Sequence, residues 1–178
     1  MEFCKKSYEN LSDNELLKLF VKLSLTTGGR LETILHIQKK DIDLATNMIT
    51  LCDLKNKDTY RSFLTDEVSK LISAKIDGLK PNDYLVSLNG EKITSRQIQS
   101  RLKPKLDKLF NADLDISDRK NRVVIHTLRH TFASHLAIRG TPIFTIQNLM
   151  NHKDIKQTMR YAKLAPDSGR NFVNDLYQ

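Results

Sequence analysis

Apolar residues recur along this chain at spacings that alternate between helical and strand periods, with the breaks at glycine, proline and polar clusters. After a capping start at Ser12-Asp13-Asn14-Glu15, Leu16, Leu17, Leu19, Phe20, Leu23 and Leu25 predict a helix that Gly28-Gly29 stops. Arg30 opens a second short helix through about Gln38, and Lys39 to Asp43 form a polar turn into extended chain. Met48–Cys52 and Tyr60–Leu64 read as two strands joined through Leu54–Asp58, which puts Lys55 on or beside a hairpin turn. Thr65-Asp66-Glu67 begins another helix, Tyr84–Leu88 reads as a short strand, and Thr94 to about Phe110 is amphipathic, with Pro104 expected to kink or split it. Asp113 to Arg122 is polar loop. Leu128, Phe132, Ala133 and Leu136 mark a helix ended by Gly140. The next helix has Thr141 as cap, Pro142 at its first position and the stripe Ile143, Ile146, Leu149 and Met150, with His152 directly after it. A short helix carries Tyr161, Pro166 breaks the chain, and Phe172, Val173, Leu176 and Tyr177 stripe a last helix. The pattern predicts a mixed, predominantly α-helical fold with a small antiparallel β-sheet and no internal repeats.

Composition narrows this picture. The 178 residues are 39% apolar, enough for one packed core, and 29 Lys+Arg against 21 Asp+Glu leave a formal charge of +8. That charge suits a polyanionic partner such as nucleic acid, though a merely soluble basic surface carries as much. Cys4 and Cys52 are too few and too far apart for a zinc site or a disulfide framework. No apolar run approaches the roughly 20 residues of a membrane helix, and the first residues lack the apolar core of a signal peptide, so the expected location is the cytoplasm, away from membranes.

Candidate chemistry gathers late in the chain. His126 and Arg129 lie three apart at a helix start, where side chains share a face and free backbone N–H groups favour an anion. Alone, such a pair reads as a capping histidine beside a surface arginine, and Tyr161 alone reads as a half-buried aromatic like Tyr60 and Tyr84. His126, His130 and His135 invite a metal reading, but no Cys or Glu stands at ligand spacing. What alters the balance is the ordered set Arg30, Lys55, His126, Arg129, His152 and Tyr161: cations for a phosphate, a proton acceptor and a nucleophile.

From Leu11 to Asp167 the chain resembles the catalytic domain of tyrosine recombinases, the family of phage integrases and Xer recombinases. The resemblance is carried by His126-Thr127-Leu128-Arg129-His130-Thr131-Phe132-Ala133-Ser134-His135-Leu136, Leu149-Met150-Asn151-His152-Lys153 and Thr158-Met159-Arg160-Tyr161, and more loosely by Thr26-Thr27-Gly28-Gly29-Arg30 and Leu54-Lys55-Asn56-Lys57. It implies that fold and a site-specific recombinase that breaks and rejoins DNA without metal, ATP or other cofactor. In that reading Tyr161 attacks the scissile phosphate to give a 3′-phosphotyrosyl enzyme and a free 5′-hydroxyl. Arg30 and Arg129 hold non-bridging oxygens, Lys55 protonates the leaving 5′-oxygen with Lys57 as rival, His126 accepts the tyrosine proton or binds the phosphate, and His152 binds a non-bridging oxygen. The implied partners are double-stranded DNA and three further copies in a homo-tetramer on synapsed sites, joined through a C-terminal helix over residues 168–178. Residues 1–10 would be a leader or linker remnant, with no room for the family's N-terminal DNA-clamping domain. Two other activities fit the same residues: a type IB topoisomerase-like relaxation of DNA, and a non-catalytic DNA-binding regulator.

The chain departs from the family pattern at three points. Gly29 precedes Arg30 where a larger residue is common, Thr33 stands where an acidic side chain often follows three residues later, and Asn151 replaces the usual glycine before His152. Without the acidic residue, what orients Arg30 is open. Asparagine tolerates a left-handed backbone, so the turn before His152 is expected to survive.

Overall fold

Asn14 starts the first helix, α1 (Glu15–Thr27): its side-chain oxygen accepts the Leu17 backbone N–H at 3.0 Å, satisfying a donor the helix end leaves open. The structure, a computed structural model, describes residues 14–55, 57–88, 91–166 and 173–174. α1 ends at Gly28 with φ 64°. A Cβ at Gly28 would lie 2.3 Å from Phe132 Cδ1, so glycine is required by both backbone and packing. Arg30 is the extended residue that opens α2 (Leu31–Leu35). This helix is shorter than its sequence predicts because the Ile37 carbonyl accepts the Leu85 N–H at 2.9 Å and Gln38 bridges to Tyr84, pulling the chain into extended pairing.

A 3₁₀ turn, Lys39–Asp41, leads into an antiparallel sheet of order β1-β2-β3, formed by β1 (Ile42–Asp43), β2 (Met48–Asp53) and β3 (Asp58–Phe63). Leu51 faces Tyr60 across the ladder and Asp53 faces Asp58, so Lys55 rides the turn beyond the last pair. Alternation along β2 turns Ile49, Leu51 and Asp53 inward, burying all three. A carboxylate therefore occupies a position where the strand period calls for an apolar side chain, and a buried charge needs a partner.

Thr65 caps α3 (Asp66–Ile76). The strand expected over 84–88 contracts to β4 (Ser87–Leu88), paired with β5 (Glu91–Lys92), because Tyr84 is held in its bridge to Gln38. Thr94 and Gln97 form a reciprocal capping box at the start of α4 (Ser95–Phe110). Of the kink or split expected at Pro104, the split does not occur: α4 runs unbroken through it. Ile98, Leu102 and Leu106 bury one face on both sides of it, while Pro104 is exposed, so water can satisfy the Ser100 carbonyl that has lost its donor.

α5 (Ile125–Ile138), α6 (Ile143–Leu149) and α7 (Lys156–Ala162) complete the described fold. Pro142 takes the cap position of α6 rather than its first turn, because the Thr141 N–H is already bound to the Leu136 carbonyl at 3.0 Å. The main core joins α1, α2, the sheet, α3 and α4 to Leu128. A second apolar cluster of Phe132, Ala133, Ala137, Ile146 and Met150 takes in the ring of Tyr161. The last helical stripe lies outside the described residues except at Val173, which with Asn174 is helical and exposed. Among the described residues no helix is long and apolar enough to cross a membrane. The fold is, as expected, mainly helical with small antiparallel sheets.

Candidate active site

Arg129, in the first turns of α5, is 3% exposed and held from behind by two backbone carbonyls. Its Nη1 donates to Gly28 O and its Nη2 to Met150 O, each at 2.5 Å. Those carbonyls belong to the caps of α1 and α6, where helices leave acceptors open and carry partial negative charge. These two bonds use two of the five N–H donors of the guanidinium, and the Tyr60 hydroxyl lies beside it. The strict glycine at position 28 thus sets the position of a cation a hundred residues downstream.

His126 and His130 follow one another along the same face of α5, their rings edge to face at 4.6 Å between centroids. His130, not His126, meets the tyrosine: His130 Nδ1 and Tyr161 Oη share a hydrogen bond at 2.5 Å. Tyr161, on α7, is 4% exposed, with its ring anchored in the second apolar cluster. Asn151 takes the left-handed conformation, φ 47°, that the sequence anticipates, and turns the chain so that His152 follows α6. There His152 Nδ1 and the buried Thr158 Oγ1 share a hydrogen bond at 2.9 Å, which fixes the ring from α7. Arg30 pairs with the buried Asp53.

One cleft is lined by Arg30, His126, Arg129, His130, His152, Arg160 and Tyr161. Burial and the surrounding arginines push His130 and His152 down to about 4 and hold His126 below the usual histidine range, so all three rings are neutral near pH 7. Burial pushes the Tyr161 phenol up, against the opposing pull of Arg160 and Arg129. It is therefore protonated at rest and needs a proton acceptor before it can act as a nucleophile. Burial and the charge of Arg30 lower Arg129 from the usual arginine range, yet a guanidinium bound to two carbonyls stays cationic. Neutral imidazoles beside paired guanidiniums form a cleft that attracts one small, doubly coordinated anion such as a phosphodiester.

Five of the six residues singled out from sequence meet in this cleft. Lys55 does not: it is exposed on the β2–β3 turn, and Lys57, at φ 50°, is exposed beside it. Sequence reading passed over Asp53, Thr158 and Arg160 as site residues and met His130 only as a metal candidate. Asp53 carried a visible signal, a charge at an inward strand position. The other three carried none apart from their neighbours, because which ring reaches Tyr161 depends on how α7 packs on α5.

The family model described as Phage integrase family matches residues 1–167. Tyrosine recombinase XerA of Saccharolobus solfataricus is 38% identical over 154 residues, covering 86% of this chain and 48% of its own. Tyrosine recombinase XerC of Staphylococcus aureus is 28% identical over 163 residues, 88% of this chain and 52% of its own. The chain spans about half the length of the curated relatives it matches. Among solved structures, a XerA recombinase crystal structure aligns over all of this chain and 64% of its own with a TM-score of 0.73 at 21% identity. The XerH recombinase bound to a difH substrate, in a pre-cleavage complex, aligns over 99% of this chain and 53% of its own with a TM-score of 0.70 at 21% identity.

Proposed function

The chain belongs to the phage integrase family and has the fold of a tyrosine recombinase catalytic domain, and from that premise we propose that it catalyses site-specific cleavage and rejoining of double-stranded DNA. The observation that carries this reading is Tyr161 Oη held 2.5 Å from a neutral histidine, in a cleft that also presents two guanidiniums. The 2.5 Å contact sets Tyr161 Oη against an imidazole that is neutral near pH 7 and so free to accept the phenol proton at the moment of attack.

In this reading Tyr161 Oη forms a bond to phosphorus as its proton passes to His130 Nδ1. The bond from phosphorus to the 5′-oxygen breaks, and that oxygen takes a proton from Lys55. The products are a 3′-phosphotyrosyl enzyme and a 5′-hydroxyl, and the reverse sequence rejoins a strand with no metal or nucleotide. Arg30 and Arg129 hold the non-bridging oxygens, His126 adds a donor at the N-terminus of α5, and His152, kept in place by Thr158, supplies another. Lys55 reaches the leaving oxygen when its hairpin lies along DNA. The working assembly is four copies on two duplexes, with the stripe Phe172, Val173, Leu176 and Tyr177 docked on a neighbouring subunit; the exposure of Val173 supports that placement. A solved structure of this fold, the Tn1549 transposon integrase in complex with transposon right end DNA, supports DNA as partner.

The test is a duplex carrying the junction sequence recovered from cells, nicked beside the scissile phosphate so that the released segment diffuses away. The protein should form a covalent DNA adduct that survives denaturing electrophoresis, and Tyr161→Phe should form none. An adduct from Tyr161→Phe would overturn the reading.

A further inference from the structure

Arg30 has no acidic residue three positions on, where Thr33 stands, and yet its guanidinium is firmly placed. The group that places it is Asp53, 1% exposed, whose Oδ2 pairs with Arg30 Nη1. The same carboxylate does more. Its Oδ1 accepts the backbone N–H of Lys55 at 3.1 Å, and its Oδ2 accepts Asn151 Nδ2 at 3.4 Å. Three chain segments far apart in sequence thus converge on two oxygens: the α1–α2 junction with Arg30, the hairpin turn with Lys55, and the left-handed turn before His152. Tyr60, opposite Leu51 on β3, brings a buried hydroxyl up to the Arg129 guanidinium and lies in the fields of Arg129, Arg30 and Asp53.

We infer that Asp53 is the positioning residue of this site: it fixes Arg30 for the phosphate and, through the Lys55 backbone, sets the hairpin that supplies the leaving-group proton. The inference rests on the recombinase reading and adds a coupling to it. A carboxylate at the inward end of β2 is short, rigid and shielded from water, so each contact is stronger than the same pair at the surface. Moving it would shift the phosphate clamp and the proton donor together. No other residue among those described is bonded to Arg30, the Lys55 turn and the His152 turn at once.

The coupling is testable by separating its two parts chemically. Replacing the bridging 5′-oxygen of the scissile phosphate by sulfur makes the leaving group a thiolate, which departs without a proton from the enzyme. Single-turnover cleavage should then fall by about 100-fold or more in Asp53→Asn on the oxygen substrate, the order expected for a misplaced transition-state donor. On the sulfur substrate the loss should shrink, by the part due to Lys55, without vanishing, because Arg30 remains misaligned. Lys55→Ala, by comparison, should be restored fully by sulfur. A purely structural role for Asp53 would lower cooperative melting, DNA binding and cleavage of both substrates alike, which would overturn the inference, as would wild-type cleavage by Asp53→Asn. Loss fully restored by sulfur, or not restored at all, would overturn the coupling from one side or the other. Since Asp53→Asn leaves Arg30 without its counter-charge, Arg30→Ala with Asp53→Asn removes both charges and provides a second, better balanced protein. On the sulfur substrate this double variant should match Arg30→Ala within about threefold, because in a cycle two residues acting through one contact are not additive. Additive losses would contradict the proposal. Covalent adduct formation by the unsubstituted protein is the control that separates failure of this inference from failure of the recombinase reading.

Discussion

His130 makes the sharpest prediction at the scale of single residues. If it takes the Tyr161 proton, His130→Asn should lower single-turnover cleavage by about 100-fold to 10,000-fold while leaving DNA affinity within a few fold, as filter binding would report. The pH profile carries the sign. A ring that titrates at about 4 stays an acceptor across the physiological range, so cleavage should hold level from pH 8 to pH 6 and fall only as His130 protonates on the way to about 4. A midpoint near 6.5, the value of an ordinary histidine, would contradict this assignment. The residues themselves were largely legible in the sequence. Arg30, His126, Arg129, His152 and Tyr161 reach one cleft because each sits in a motif with a fixed local geometry. His130 was visible only as a histidine four residues from His126, since its partner comes from α7, 31 positions later. Asp53 falls one residue past the strand that the periodicity predicts, and two of its partners lie 23 and 98 positions away.

At the scale of elements, the end of α1 holds the most information. Gly28 combines a left-handed backbone with Phe132 pressed against the missing side chain, and its carbonyl seats Arg129. Gly28→Ala should cost about 1–3 kcal/mol of unfolding free energy from the backbone alone and more from the displaced Phe132 ring, measured by denaturant titration. Cleavage should drop further than stability explains, because Arg129 loses its anchor. An active, equally stable Gly28→Ala protein would reject the link between this cap and the phosphate clamp. Helices with clear apolar stripes, α1, α4 and α5, were readable from periodicity. The ends were less so: α2 stops early where Ile37 and Gln38 pair with the 84–85 segment, and α4 runs through Pro104 because tertiary burial on both sides outweighs one lost hydrogen bond.

The molecule as a whole should be acid-sensitive in a defined window. His126, His130 and His152 all titrate lower in the folded chain than the 6.5 of an exposed histidine, so the unfolded chain takes up more protons as pH falls below 6.5. The stability present above pH 6.5 is therefore lost progressively toward pH 4, above the range where carboxylates titrate. Melting temperature should decline across that interval, and His130→Asn with His152→Asn should flatten the decline; a flat profile in the unsubstituted protein would contradict the burial of these rings. Assembly is the second property at this scale. Removing the residues after Asp167 should leave the melting transition of the remaining fold intact and reduce tetrameric complexes on paired sites in native gels, whereas unchanged assembly would remove the terminal stripe from the subunit contact.

The central claim is that Tyr161 becomes covalently joined to DNA, and mapping that bond tests it most directly. Adduct trapped on the nicked substrate would be digested with trypsin and nuclease and sequenced by mass spectrometry. The account predicts one nucleotide-bearing peptide, Tyr161-Ala162-Lys163, released by cleavage after Arg160 and Lys163, and its absence in Tyr161→Phe. A nucleotide on any other residue would contradict it.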